Sequence, residues 1–194
     1  MRTAVRVTAA VVLAATLATG CAAGPEAGAV APAAPAAAPP DVASPAATPG
    51  GPTSAPPAAV PATLAFTGKT LDGTAFSAAD LAGRPVLLWF WAPWCATCAS
   101  QAWTVAEIAP AYRDTVPIVG VAGLGEQKAM KDFVTEFDLG GTTQIDDRKG
   151  ALWRRFKVTE QSTFVVLDRT GRVVHQGFLD GEALTRQVET LARG

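Results

Sequence analysis

Cys95 and Cys98 stand two residues apart in Trp94-Cys95-Ala96-Thr97-Cys98, and that spacing allows three kinds of chemistry. Two such thiols can exchange a disulfide with another molecule, contribute to a metal site or close a structural bridge. A bridge over a loop of about four residues contributes about 2 kcal/mol in the chain-entropy picture, against about 3 kcal/mol for fifteen residues, so it is a weak staple. A zinc site needs about four ligands. Beyond this pair the chain offers one cysteine, Cys21, and one histidine, His175, both far away in sequence. No metal and no bound cofactor is therefore expected, and redox exchange is the reading that uses both sulfurs.

Such a pair needs a rigid mount with one sulfur accessible. The run Val86-Leu87-Leu88-Trp89-Phe90-Trp91 is apolar throughout, as a central strand covered on both faces should be. A short Ala92-Pro93 turn follows, and the stretch to Tyr112 reads as a helix that begins at the motif. Cys95 then falls at a helix start, where unpaired backbone N–H groups and the positive end of the dipole favour a thiolate. Cysteines so placed titrate at about 3.5 to 7.5 rather than about 8.5. A value of about 6 would stabilise the reduced form by about 1.4 kcal/mol at pH 7 and raise the reduction potential by about 30 mV.

Around this unit the pattern alternates between strands and helices. Thr63–Phe66 and Gly73–Phe76 are predicted to form an N-terminal hairpin about an Asp72-Gly73 turn. Val116 to Val121 reads as a second buried strand, with Pro117 near its start. From Glu126 to Phe137, residues Ala129, Met130, Phe133, Val134 and Phe137 recur at helical spacing, which predicts one apolar face. A short helical turn is expected over Gly150–Phe156. Strands at Thr163–Leu167 and Arg172–Gln176 flank the turn Asp168-Arg169-Thr170-Gly171, and Asp180 can cap a last helix, Gly181–Ala192. The order predicts an α/β fold, a mixed sheet with helices on both faces and a hairpin extension.

The segment Leu88-Trp89-Phe90-Trp91-Ala92-Pro93-Trp94-Cys95-x-x-Cys98 resembles the active-site stretch of thioredoxin-like proteins, and more closely the exported TlpA-type and Dsb-type redoxins. The resemblance runs from about Ala62 to the C-terminus. It implies a thiol-disulfide oxidoreductase in which Cys95 is the exposed nucleophile and Cys98 resolves the mixed disulfide. It also implies that Trp94 and the loop Gln161-Ser162-Thr163 meet the substrate. Three positions depart from the family pattern. Acids that the family places six residues before the first cysteine, or three after the second, are here Trp89 and Gln101. Ser162 stands where the family has a cis-proline, and its hydroxyl could face the Cys95 sulfur. Two other readings are a peroxiredoxin-like antioxidant enzyme, for which Pro93 and Thr97 are a superficial match, and a redox-inert binding domain that keeps the fold.

The remaining composition bears on where the chemistry takes place. Eleven of fifteen prolines lie between Pro25 and Pro61, in a stretch with no aromatic residue, so residues 21–61 read as a disordered Ala/Pro-rich tether and 62–194 as the folded domain. A tether of that length reaches about 35 Å as coil and about 120 Å as polyproline II. Before it, Arg2 and Arg6 precede an uncharged run from Val7 to Ala18, an export signal over residues 1–20. Leu17-Ala18-Thr19-Gly20-Cys21 is similar to a bacterial lipoprotein signal, which makes Cys21 a candidate for lipidation. The implied place is the outer face of the cell membrane, lipid-anchored, or secreted. Expected partners are exported proteins with thiols or disulfides, a redox recycling partner and the membrane through the lipid. A net charge of -1 provides no field for nucleic acid. Arg148, Lys149, Arg154, Arg155 and Lys157 read as a solvated face, His175 as structural or solvated, and Trp89, Trp103 and Trp153 as core, with Trp91 and Trp94 near the dithiol.

Overall fold

A computed structural model describes residues 59–194. The expectations for residues 1–20, for Cys21 and for most of the 21–61 tether lie outside the described residues. A two-stranded antiparallel hairpin, β1 (Thr67–Lys69) and β2 (Ala75–Ser77), precedes a five-stranded mixed sheet. The sheet strands are β3 (Val86–Trp91), β4 (Ile118–Ala122), β5 (Thr143–Asp146), β6 (Thr163–Leu167) and β7 (Val173–Phe178), in spatial order β5-β4-β3-β6-β7. The helices are α1 (Ala96–Tyr112), α2 (Gln127–Glu136), α3 (Ala151–Arg155) and α4 (Gly181–Arg193). The fold is the expected mixed α/β arrangement.

Every residue of β3 is buried, because the strand has a core on each side. Leu87, Trp89 and Trp91 point to the side where α1, α2 and α4 bury Ala102, Val105, Phe133, Leu184 and Val188. Val86, Leu88 and Phe90 point to the other, against Trp153 and Phe156 and the N-terminal segment around Leu64. This period-two division is the strand's own geometry. β4 runs parallel to β3 after the α1 crossover, while β6 runs antiparallel on the opposite flank. The carboxyl end of β3 thus lies between the ends of two neighbours, and the cysteines follow it directly.

Several elements differ from expectation for local reasons. Residues Ala62–Leu64 form a 3-10 turn rather than a strand, since only Leu64 is buried there and alternation never develops. The hairpin pairs Thr67–Lys69 instead, and its turn has Gly73 at φ 92° with the Asp72 carboxylate accepting from the Thr74 N–H at 3.2 Å. The edge strand β5 was not predicted, because Ile145 is its one apolar residue. Its Gln144 is nonetheless buried, with Oε1 accepting from Trp91 Nε1 at 2.9 Å.

Two surface assignments also change. Trp103 is 62% exposed rather than core: α1 turns Cys98, Ala102, Val105 and Ala109 inward, and Trp103 lies off that stripe, edge-on to Phe137. Ala129 is likewise exposed, leaving Met130 and Phe133 as the buried residues of α2. Within the cationic group, Arg155 is more than a solvated charge. Its guanidinium donates to the Ala62 and Ala65 carbonyls and lies 5.8 Å from the Phe66 ring centre, fastening the N-terminal segment to the sheet.

Candidate active site

Cys95 is the N-cap of α1, a helix of 17 residues. Its backbone is extended (φ -91°, ψ 109°), its N–H donates to the Ala92 carbonyl at 3.2 Å, and its Sγ accepts from the Cys98 N–H at 3.0 Å. The sulfur therefore occupies the place that a serine or aspartate oxygen fills in ordinary helix caps. The first turn of α1 contains no acidic residue, so nothing local opposes negative charge there. Cys95 retains 6% exposure, whereas Cys98, one turn on, is fully buried. The two are joined as a disulfide with their Cα atoms 5.2 Å apart. Of the two cysteines only Cys95 keeps any exposure.

Ser162 completes the sulfur environment. Its Oγ lies 3.2 Å from Cys95 Sγ and 3.1 Å from Cys98 Sγ, and the residue is 6% exposed. It takes φ 64°, in the left-handed region, where a non-glycine residue costs about 1 to 2 kcal/mol. Proline cannot occupy this backbone, because its ring holds φ near -65°.

The carbonyl of Ser162 is held by Gln101, a residue only 2% exposed. Gln101 Nε2 donates to Ser162 O at 3.2 Å and to Leu179 O at 2.9 Å, while its Oε1 accepts from Trp89 Nε1 at 2.8 Å. The amide has one workable orientation, since an indole N–H can only donate and two carbonyls can only accept. The three departures noted in the sequence are thus links of one chain: Trp89 to Gln101, Gln101 to Ser162, Ser162 to both sulfurs. Sequence reasoning treated them as three separate losses. The signal that could have joined them was the absence of an acid at both positions where the family pattern places one.

The other expected contact residues fall at the rim. Trp94 is 61% exposed, and its Nε1 donates to the Leu124 carbonyl at 2.6 Å. Leu124, which sequence reasoning did not single out, is also exposed and has φ 54°, between Gly123 and Gly125. Gln161 is half-buried on the loop before Ser162. Thr163 begins β6, and its hydroxyl turns back to the Glu160 carbonyl at 2.8 Å rather than to the sulfurs. Trp91 is buried, stacked on Phe133, and so is part of the floor. His175 is half-buried on β7.

Residues 45–189 match the Redoxin family. The chain belongs to that family. It is 40% identical over 102 residues to the soluble secreted antigen MPT53 of Mycobacterium tuberculosis, a match that covers 53% of this chain and 58% of the relative. The chain therefore spans less than two thirds of that relative's length. It is 28% identical over 125 residues to the thiol-disulfide oxidoreductase ResA of Bacillus thuringiensis, covering 64% of this chain and 70% of ResA. Among solved structures, MTB dsbF, determined in mixed oxidised and reduced forms, is similar with a TM-score of 0.64 and 42% identity, over 69% of this chain and 99% of that one. The redoxin fold therefore extends through the sheet, both cysteines and the Ser162 loop.

Proposed function

We propose that the chain is an extracytoplasmic thiol-disulfide oxidoreductase that exchanges disulfides with exported proteins. The observation that carries this reading is the asymmetry of the pair: Cys95, whose Sγ is the cap acceptor of α1, keeps 6% exposure, and Cys98 is fully buried. Cys95 is the atom that enters and leaves mixed disulfides, and Cys98 is the resolving thiol. The similarity to ResA and to a secreted antigen supports both the reaction class and the place. In this reading Trp94, Gln161 and Thr163 form the rim that a client chain meets. Cys21 carries the lipid, and the proline-rich stretch up to residue 61 is a tether that gives the domain reach from the membrane.

Oxidative refolding of a reduced client, with the wild type and Cys95→Ser compared at equal concentration, tests the assignment. Wild type accelerates refolding and Cys95→Ser does not; equal refolding by the two overturns it. Cys98→Ser should instead accumulate a client mixed disulfide at Cys95, visible as a thiol-sensitive adduct. Labelling with a radioactive fatty acid in cells, with Cys21→Ser as comparison, tests the anchor: loss of label in the variant supports it, and no label in wild type refutes it.

A further inference from the structure

The strongest unassigned feature is a buried hydroxyl that touches both sulfurs in a site without an acid. We propose that Ser162 is a catalytic residue: its Oγ–H is a side-chain donor that can serve either of the two sulfurs, whichever carries the negative charge. The inference rests on the exchange activity proposed above and goes beyond it by giving the site its charge-stabilising group.

Three observations carry it. In the disulfide the Oγ is nearly equidistant from Cys98 Sγ (3.1 Å) and Cys95 Sγ (3.2 Å), so one hydroxyl lies within reach of both sulfurs and can turn its O–H from one to the other. The group is buried, where a hydrogen bond to an anion is far stronger than in water. Its backbone is in the uncommon left-handed conformation and its own carbonyl accepts from Gln101 Nε2 at 3.2 Å, so the residue that presents the hydroxyl to the sulfurs is tied to the core. Among the described residues no carboxylate hydrogen-bonds to either sulfur, and Gln101, which holds the Ser162 carbonyl, does not titrate.

The reaction in the oxidising direction runs in two displacements. A client thiolate attacks Cys95 Sγ, the client–Cys95 S–S bond forms, the Cys95–Cys98 bond breaks, and its electron pair goes to Cys98 Sγ. Ser162 Oγ–H donates to that sulfur until a solvent proton converts it to the thiol. The client's second thiolate then attacks its own sulfur in the mixed disulfide, and the electron pair returns to Cys95 Sγ. The hydroxyl now turns to Cys95. The client loses two electrons and two protons; the cysteine pair gains two electrons, Cys98 keeps one proton and the other passes to solvent. Reduction of a client disulfide is the same sequence reversed.

The experiment compares wild type with Ser162→Ala and Ser162→Gly, two variants that lack the hydroxyl but differ at φ 64°, which glycine adopts freely and alanine does not. In the reduced proteins, thiolate absorbance at 240 nm is followed against pH. The equilibrium with glutathione is measured at pH 7 and again about two units below the Cys95 titration. Both variants should bind the Cys95 proton about tenfold more tightly and, from a wild-type value of about 6, favour the disulfide about fivefold more at pH 7, which is about 20 mV. The difference in equilibrium should shrink at the lower pH, where Cys95 is protonated in wild type as well. Unchanged titration and potential in both variants overturn the proposal. A change in the alanine variant alone also overturns it, since that effect belongs to the backbone. Either failure leaves the Cys95→Ser refolding result standing, so the two readings are separable.

Discussion

Replacing Gln101 by glutamate restores the acid of related proteins at an unchanged size, and the structure predicts that the restoration is costly. Gln101 Nε2 faces the carbonyls of Ser162 and Leu179 at 3.2 and 2.9 Å, and its other end faces the Trp89 N–H at 2.8 Å. A carboxylate could keep the indole bond, but its second oxygen would then oppose two carbonyl oxygens inside a site that is 2% exposed. Desolvation and that repulsion both favour the neutral acid, so the carboxyl introduced by Gln101→Glu should titrate well above its unfolded value of about 4.3. Burial alone raises such groups by up to about 3 to 5 units, and a rise of about 2.5 units corresponds to about 3.4 kcal/mol. The sign follows from proton counting. Between the unfolded and the raised folded pKa the native state binds more protons, so the variant's stability relative to wild type falls as pH rises through that window and then levels off. Below about pH 4 the protonated acid can donate to one carbonyl, and the deficit is smallest. Urea unfolding of wild type and Gln101→Glu at pH values from about 4 to 8, with the disulfide kept intact so that neither cysteine titrates, measures the difference directly. Gln101→Leu is the comparison: it leaves one donor and two acceptors unpaired, a loss of about 3 kcal/mol that does not vary with pH. A Gln101→Glu deficit that is equally flat, or absent, would refute the reasoning.

Other expectations follow from separate parts of the fold. At Gly120→Ala the new Cβ would overlap the Gln144 side chain and stand 2.9 Å from Trp91 Nε1, so the buried bond between those residues should break, with a loss of about 2 to 4 kcal/mol in denaturant unfolding. Asp147 accepts from the N–H groups of Ala151, Leu152 and Trp153 at 2.8, 2.9 and 3.0 Å, yet burial outweighs these bonds and raises its pKa. Stability should therefore fall as pH rises from about 4 through the raised value, and Asp147→Asn should remove that slope in unfolding measured against pH. Asp180→Ala removes a cap bond to the Ala183 N–H of 2.7 Å at the start of α4 and should cost about 1 kcal/mol. Trp94→Ala should weaken exchange with protein clients while leaving exchange with glutathione little changed, read as separate rates with the two substrates; equal loss with both would remove Trp94 from the client surface.

The parts of the fold legible in the sequence were those with a strong period or an obligatory cap. The six apolar residues of β3, the Cys95 helix start, the Asp180 cap and the Gly171 hairpin each follow from a local rule, and each lies where that rule puts it. The parts that were not legible depend on partners distant in sequence. β5 exists because β4 offers an edge and Trp91 needs an acceptor, which Gln144 supplies from 53 positions away. Trp103 is outside because the direction of the α1 stripe is set by what packs on it, and the count of tryptophans says nothing about that direction. In the site, the sulfurs were legible and the support was not. Gln101 and Ser162 are 61 positions apart, and a bond between them has no signature in either residue's neighbourhood.

That bond explains why the three departures belong together. With Trp89 in the strand position, the site presents a buried N–H that can only donate, and an acceptor must face it. A glutamine at position 101 provides that acceptor and leaves two N–H groups, which find the carbonyls of Ser162 and Leu179. The Ser162 carbonyl accepts there with its backbone at φ 64°, and proline cannot take that conformation. With neither position acidic, the charge that appears on sulfur during exchange has no titrating hydrogen-bond partner among the described residues. A hydroxyl on the residue beside both sulfurs meets that need, whereas proline has no donor to offer. The chain from indole to amide to carbonyl to hydroxyl is neutral at every link, so its hydrogen bonds should keep their strength across the pH range in which a carboxylate would change charge. Changing any one link alone should therefore disturb the sulfurs. Gln101→Leu, three residues from Cys98 and with no bond to either sulfur, should move the Cys95 titration in the same direction as Ser162→Ala. The two changes combined should move it by less than the sum, because both act through one hydroxyl. Additive shifts would mean that Gln101 does not act on the sulfurs through Ser162.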